Sequence, residues 1–297
     1  MVAVKASQVG HLPEKDRWAF DALKELLIRE KGFDLEAYKE RCILRRIYLK
    51  VRSKGHADLG SYYRELSRDR EELERLFQYM TINVTEFFRN PTAFAYLERS
   101  VLPRLVAEHS VYGHFRVWSA GCSSGEEPYS LAIVLLRAKK RHRIQTPFTV
   151  LATDVDDRIL ARGKVGRYGL EALKNLEDED IREYFVEEEG SFSVSDEVRE
   201  RVTFRTEDIL RDNPVKAQSL VVCRNLLIYF SRENQERVIS GFSRKLHPGG
   251  FLMLGKAETL IGRNRLFFQS ISPTERIYRL RDMPLADGNV QPGPIDL

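Results

Sequence analysis

The run Phe115-Arg-Val-Trp-Ser-Ala-Gly-Cys-Ser-Ser-Gly-Glu-Glu-Pro-Tyr-Ser-Leu-Ala-Ile133 constrains this chain more than any other. It reads as a strand, a glycine turn and a helix whose first turn is acidic. A glycine loop entering a helix normally binds anions, because free backbone N–H groups and the positive end of the helix dipole point at the ligand. Here Glu126 and Glu127 stand where a phosphate-gripping loop carries Lys and Ser or Thr. Two carboxylates at that range repel a pyrophosphate, so ATP and NAD fit poorly. A ligand with sugar hydroxyls and positive charge fits, and S-adenosylmethionine has both in its ribose, sulfonium and ammonium groups.

The flanking sequence sets the fold class. Strand followed by helix recurs as Phe115–Ala120 then Glu126–Lys140, and as Phe148–Thr153 then Asp156–Arg162, which predicts a parallel sheet with crossover helices. The strand Leu220–Cys223, a helix over Arg232–Leu246, the turn His247–Gly250 and the strand Phe251–Leu254 extend the pattern, and Leu266–Ser270 with Arg276–Leu280 closes it. Between Gly163 and Thr203 the alternation breaks. A charged helical piece there precedes Ser191–Ser195 and Arg201–Phe204, which read as short antiparallel strands inserted at one edge. Upstream, Phe20, Leu23, Leu26 and Leu27, and later Leu73, Leu76, Phe77 and Met80, recur at helical spacing with no strand alternation. The expected fold is α/β, Rossmann-like, with a small antiparallel β-subdomain and a preceding all-α domain. Its expected division is a helical domain over 13–80, a connector over 81–110 whose helix starts at Pro91, an α/β domain over 111–282 with the insertion at about 184–204, and a disordered tail over 283–297.

Composition narrows the partners. The 48 Lys and Arg nearly cancel the 44 Asp and Glu, so a net charge of +4 gives no global field for nucleic acid or a membrane surface. Any basic recognition surface is local. Cys42, Cys122 and Cys223 are far apart and lack Cys or His neighbours at metal-ligand spacing, which predicts reduced packing residues and no metal. The stretch Met1–Gly10 lacks a signal-peptide core, and no apolar run approaches the roughly 18 residues of a membrane helix. A soluble, cytoplasmic monomer that does not insert into membranes is expected.

Ligands of an open parallel sheet sit beyond the carboxyl ends of its strands. Four segments are expected there. The Gly121–Glu126 turn is the first; the second is Asp154, ending its strand in a position suited to both ribose hydroxyls or, alternatively, to capping the next helix. The third is Cys223–Phe230, a buried strand delivering Asn225 and Tyr229, with Asn225 either bonding the methionine part of the cofactor or shaping the turn. The fourth is Asn83–Arg89, which reads as a lid over the cofactor or as a capped helix start with Phe87 and Phe88 in the core.

In this order, Asn83-x-Thr-x-Phe-Phe-Arg89, Ser119-Ala-Gly-Cys-Ser-Ser-Gly-Glu-Glu-Pro-Tyr-Ser130, Ala152-Thr-Asp-Val-Asp156, Cys223-Arg-Asn-x-x-Ile-Tyr-Phe230 and Leu246-x-Pro-Gly-Gly250 resemble the CheR-type chemotaxis receptor methyltransferases, over about Ala19 to Leu280. The resemblance implies an S-adenosylmethionine-dependent protein-glutamate O-methyltransferase that esterifies glutamates on the cytoplasmic helical bundle of a chemoreceptor. It also implies that Asn83, Thr85, Arg89, Glu126, Asp154, Asp208, Ile209, Asn225 and Leu226 line the cofactor site. Asp208 departs from the family's Asn. A glutamate nucleophile is already ionised at neutral pH, with a reference pKa of ~4.3, so no general base is needed. Arg89 is then expected to orient the reactants and Tyr229 to stabilise the methyl-transfer geometry.

Lys39 to Lys54 is strongly basic, and Ile43, Leu44, Ile47, Leu49 and Val51 give its helix one apolar side. Arg41, Arg45, Arg46, Lys50 and Arg52 are expected to display a patch for a negatively charged receptor helix. Around Glu187–Val194 the insertion is compact and holds a single glycine, whereas members of that family that bind a receptor C-terminal peptide tend to have a longer glycine-containing loop, so the resemblance implies direct engagement rather than tethering. The rival functions are a methyltransferase for another substrate such as RNA, and a signalling scaffold that binds cofactor without turnover.

Overall fold

The computed structural model describes residues 12–81, 84–211 and 215–281. They fall into two compact units, one running to Val84 and including Leu226–Gln235, the other comprising Thr85–Asn225 and the chain from Glu236 onward. The expected disordered tail and Asn83 lie outside the described residues.

The first unit contains α1 (Arg17–Lys31), α2 (Glu40–Ser53), α3 (Leu59–Leu66) and α4 (Arg70–Met80). Local chemistry sets the ends: Gly32 closes α1 with φ +62°, and Asp58 and Asp69 cap α3 and α4 by accepting N–H bonds from Ser61 and from Glu71 and Glu72. Leu23, Leu27, Leu44, Ile47, Leu59 and Leu76 form the apolar centre. Glu72 is fully buried and ties three helices together. It accepts from Tyr62 Oη at 2.8 Å and Arg75 Nε at 2.7 Å, and pairs with Lys54 at 2.5 Å and Lys50 at 3.7 Å. The segment from Leu226 joins this unit through main-chain bonds: Lys39 N–H donates to Tyr229 O at 2.8 Å, Ser231 N–H to Ala37 O at 3.0 Å, and Tyr38 bridges Phe230.

The second unit begins with α5 (Pro91–Tyr96), a π-helical turn (Leu97–Val101) and α6 (Leu102–His109), so the expected connector helix is broken by one wide turn. There follow β1 (Phe115–Ala120), α7 (Glu126–His142), β2 (Phe148–Asp154), α8 (Asp157–Val165), β3 (Arg167–Gly169), α9 (Asp178–Tyr184), β4 (Phe185–Glu188), β5 (Ser191–Val194), α10 (Asp196–Arg199), β6 (Val202–Thr206), β7 (Gln218–Cys223), α11 (Arg232–Lys245), β8 (Leu246–Leu254), α12 (Asn264–Phe267), β9 (Phe268–Ser272) and β10 (Ile277–Leu280). The main sheet has the order β6-β2-β1-β7-β8-β10-β9; β10 runs antiparallel to both neighbours and the other pairings are parallel. Strand order reverses between β1 and β7, which places a ligand site at their carboxyl ends.

Three expectations need correction. The stretch Arg201–Phe204 does not join the small antiparallel sheet: β6 pairs in parallel with β2, from Val150↔Val202 to Asp154↔Thr206. The small sheet is instead β3-β5-β4, built from Arg167–Gly169, Ser191–Val194 and Phe185–Glu188. Second, His247–Gly250 is not a separate turn. Gln218 pairs with Leu246 and Leu220 with Phe251, so these residues bulge out of β8, with Gly249 at φ +73°. Third, β7 ends at Cys223, and Tyr229 stands on a 3-10 turn (Leu227–Tyr229) rather than at a strand end.

Candidate functional site

The site is built where β1, β2 and β7 end. Their register brings Ala120 beside Thr153 and Ser119 beside Val222, so the residues that follow emerge on one edge of the sheet. After β1 the chain turns through Gly121 at φ +78°, Ser123 at +51° and Gly125 at +98°. Gly121 and Cys122 N–H both donate to Thr153 O, at 2.8 and 2.9 Å, locking the turn to β2. A side chain at Gly125 would be strained by its φ and would meet Phe204, Tyr168 Oη and the Gly163 backbone at 3.0 to 3.2 Å. Tyr168 Oη donates to Ser124 O at 2.7 Å, so a strand of the small sheet braces the turn.

Asp154 is half-buried at the end of β2. Its Oδ2 accepts the Ser123 N–H at 2.9 Å and its Oδ1 the Asp156 N–H at 3.1 Å. The helix cap is its neighbour: Asp156 accepts from Arg158 and Ile159 N–H and starts α8. Asp154 is thereby released from capping, and a carboxylate with about four acceptor sites keeps capacity beyond its backbone donors. Burial pushes its carboxyl above the usual range, against backbone hydrogen bonds from Ser123 and Asp156 that pull it down.

The two glutamates of the acidic turn do different work. Glu126 is buried and accepts from Ser124 Oγ at 2.7 and 3.0 Å; burial raises its carboxyl, and the Ser124 bond opposes that. Glu127 is structural. It accepts from Ser119 Oγ at 2.8 Å and pairs with Arg224 at 3.4 Å, so only Glu126 remains of the repulsive pair inferred from sequence.

Asn225 has φ +61°, a left-handed conformation that Asn tolerates better than most residues. Buried Glu258 holds it, accepting Asn225 N–H at 3.0 Å and Gly255 N–H at 2.6 Å and so fastening β7's end to β8's. Asn225 Oδ1 is buried with no hydrogen-bond partner among the described residues. An acceptor left this way fits an ammonium or amine donor.

The segment Thr85–Asn90 is not helical, and both of its phenylalanines are buried, Phe87 fully. Phe88 at φ +49° is a bulky residue in the left-handed region, a cost of order 1–3 kcal/mol, and Asn90 follows at +59°, where Asn is better tolerated. The surroundings hold them there. Phe88 N–H donates to Ser130 Oγ at 2.9 Å, Phe87 N–H to Ala172 O at 3.1 Å, Asn175 Nδ2 to Phe87 O at 3.1 Å, and Arg224 Nη2 to Arg89 O at 2.6 Å. Glu86 pairs with Lys174 at 2.9 Å, and Thr85 and Arg89 are half-buried beside it.

Asp208 follows β6, accepts the Leu210 N–H at 2.9 Å and pairs with Arg211 at 3.5 Å. Ile209 lines a cavity of about 120 Å³ with Trp118, Val238 and Phe242, whose lining contains none of the other candidate residues. Leu226 and Tyr229 belong to the helical unit. Of the expected recognition residues on α2, Arg41, Arg45 and Arg52 are exposed. Arg46 is not displayed: it donates to Tyr79 O and lies 4.6 Å from the Tyr79 ring. Lys50 likewise turns to Glu72 and Tyr79, and Leu49, expected on the apolar side, is 45% exposed. The coherent five-residue patch is therefore corrected to three exposed arginines.

Sequence reasoning missed Arg224, Ser130, Tyr168 and Glu258. Arg224 had a signal, since a charged residue directly after the apolar run Leu220–Cys223 must find partners when buried. Taken together, the site offers carboxylates at two strand and helix ends and an amide oxygen, which fits a cation carrying vicinal hydroxyls. S-adenosylmethionine meets that description through its ribose, ammonium and sulfonium.

Comparison with known proteins agrees. Residues 83–277 match the family model described as CheR methyltransferase, SAM binding domain, and residues 18–81 match CheR methyltransferase, all-alpha domain. A chemotaxis protein methyltransferase of Listeria innocua is 38% identical over 234 residues, covering 78% of this chain and 87% of the relative. A chemotaxis protein methyltransferase of Listeria monocytogenes is 37% identical over 234 residues with the same coverage, 78% and 87%. One from Salmonella typhimurium is 31% identical over 258 residues, covering 84% of this chain and 86% of the relative.

Proposed function

We propose, for a chain that belongs to the CheR methyltransferase family, that its reaction is methyl esterification of glutamate side chains on the cytoplasmic helices of a chemoreceptor. The chain is an S-adenosylmethionine-dependent methyltransferase. The observation that carries the reading of its cofactor cleft is Asp154, relieved of capping and held by Ser123 and Asp156 N–H with acceptor capacity to spare. In this reading Asp154 takes the ribose hydroxyls, Glu126 faces the cofactor's positive charge, and Asn225 Oδ1 accepts from its ammonium. Thr85, Asp208 and Ile209 complete the cofactor set by resemblance. S-adenosylmethionine supplies an activated methyl on a sulfonium; the chain supplies orientation.

A carboxylate acceptor asks no histidine base of the cleft. His109 and His247 pack together at the start of β8, and His114 bonds Thr149 at the start of β2, so all three lie at amino ends of strands, opposite the site. A carboxylate acceptor needs no base at neutral pH, with a reference pKa of ~4.3. Arg89 then orients that carboxylate in line with the methyl and sulfur, a positioning effect that can supply several kcal/mol. Recognition of the receptor helix rests on Arg41, Arg45 and Arg52. The hairpin between β4 and β5 turns in two residues, Glu189 at φ +50° and Gly190 at φ +73°, and this tight loop supports direct receptor engagement over peptide tethering. Transfer of label from methyl-labelled S-adenosylmethionine to a receptor cytoplasmic fragment tests the proposal. Base-labile label supports it; base-stable label, label on RNA, or binding without transfer contradicts it.

A further inference from the structure

Arg224 is a buried arginine with two jobs in one guanidinium. Its side chain is 2% exposed, its Nη1 lies 3.4 Å from Glu127 Oε2, and its Nη2 donates to the main-chain oxygen of Arg89 at 2.6 Å. The Phe94 ring lies 5.3 Å from its Cζ and covers it. Glu127 is in turn fixed by Ser119 Oγ on β1 at 2.8 Å. A continuous chain of contacts thus runs from a central strand through Glu127 and Arg224 to one peptide group. That peptide group lies between Phe88 and Asn90, both held at positive φ, and the strained backbone keeps its shape only while its bonds persist.

We propose that Arg224 is a positioning residue: it fixes the peptide on which the Arg89 side chain stands, and so acts on cofactor and acceptor through Arg89. The inference rests on the reading of Arg89 given above. Lysine cannot replace it, because an ammonium lacks the planar fork that reaches a carboxylate and a carbonyl at once.

The test is a double-mutant cycle in the full chain, read first by calorimetric binding of S-adenosylhomocysteine, which needs no acceptor. Arg224→Lys keeps the charge beside Glu127 and loses the bridge; Arg224→Met with Glu127→Gln removes both buried charges together, so no lone charge unfolds the protein. Coupled neighbours make the effect depend on Arg89: either change weakens binding by about 5- to 10-fold in the wild-type background and by under about 2-fold when Arg89→Ala is already present. The same pattern is expected in kcat on receptor fragments. Equal losses with and without Arg89, or no loss in either variant, would overturn the proposal. If the wild type binds S-adenosylhomocysteine but methylates no receptor glutamate, the acceptor assignment fails while the binding cycle still decides the role of Arg224.

Discussion

The carboxylate of Asp154, the last residue of β2, accepts the backbone N–H of Ser123 at 2.9 Å from the loop that follows the neighbouring parallel strand β1. This bond joins the strand that brings an acid to the glycine turn that would otherwise attract a phosphate. Asp154→Asn puts an amide where two backbone donors already point, so one N–H is left facing an NH₂ group or one ribose hydroxyl loses its acceptor. Loss of charge-assisted bonds of ~1.5–3 kcal/mol predicts S-adenosylhomocysteine binding weaker by about 10- to 100-fold. Calorimetry reads it directly.

Protonation should act on the same site with a definite sign. Burial raises the carboxyls of Asp154 and Glu126 above their ordinary range, so the cofactor-free folded chain binds more protons than the unfolded chain over a window that opens near the ordinary carboxylate value of ~4 and extends upward to the folded values. For these two groups stability is greatest on the acid side of that window and is lost as pH rises through the folded pKa values. A bound cation favours the ionised forms and reverses the trend. The thermal stabilisation given by S-adenosylmethionine should therefore grow as pH rises above the ordinary carboxylate range. Stabilisation that is flat over that rise would count against a cationic ligand at these carboxylates.

Gly163 on α8 approaches the turn closely. A Cβ there would stand 2.7 Å from Phe204 Cε1 and 3.1 Å from the Ser124 carbonyl oxygen. Ala normally gains ~1 kcal/mol over Gly in a helix, but overpacking of this kind costs ~1–3 kcal/mol, so the clash wins. Gly163→Ala is expected to lower the melting temperature and weaken cofactor binding together, since Ser124 is displaced. Improved stability would show that the contact relaxes freely.

In the helical unit, burial pushes Glu72 up, but hydrogen bonds from Lys54, Arg75 and Tyr62 outweigh it and hold its carboxyl down at about 2. Its stabilisation is complete above the unfolded value of ~4.3 and is lost as pH falls toward 2. Glu72→Gln leaves Lys50, Lys54 and Arg75 without their buried partner. Discounted for the exposed partners, the expected loss at neutral pH is of order 2 kcal/mol, with a flatter acid dependence, in urea unfolding followed by circular dichroism.

The exposed arginines of α2 should act on encounter rather than chemistry. Replacing Arg41, Arg45 and Arg52 together by Ala is expected to raise KM for a receptor fragment by about 10-fold while kcat holds, and to flatten the salt dependence of the wild-type rate. Arg46→Ala should lower stability, because Arg46 braces Tyr79. A methylation rate indifferent to ionic strength would remove the electrostatic role.

Much of the sheet was legible because its central strands are buried on both faces and bounded by glycine or polar turns: Phe115–Ala120 has the same limits in sequence and structure. Asp154 was legible as a strand-end acid, and its release from capping needed the neighbouring Asp156 to be seen in place. Periodicity identifies a strand without naming its partner. Val202–Thr206 lies at the edge of the main sheet with much of its surface open, so its pattern resembles that of the small antiparallel sheet nearby. The α2 patch was misread for a related reason, since charge on a helix surface is drawn inward when an aromatic ring and a buried acid stand beside it, as Tyr79 and Glu72 do for Arg46 and Lys50. The burial of Arg224 was signalled by its place after an apolar run, but its partners, a glutamate and a carbonyl remote in sequence, were not legible.

The central claim is that this cofactor's methyl goes to a carboxylate. Tandem mass spectrometry of a receptor cytoplasmic fragment after incubation with S-adenosylmethionine and the protein tests it most directly. Methyl esters confined to glutamate side chains, formed by the wild type and sharply reduced by Asp154→Asn, are the result predicted here. Methyl groups on nitrogen, or an unmodified fragment alongside normal cofactor binding, would contradict it.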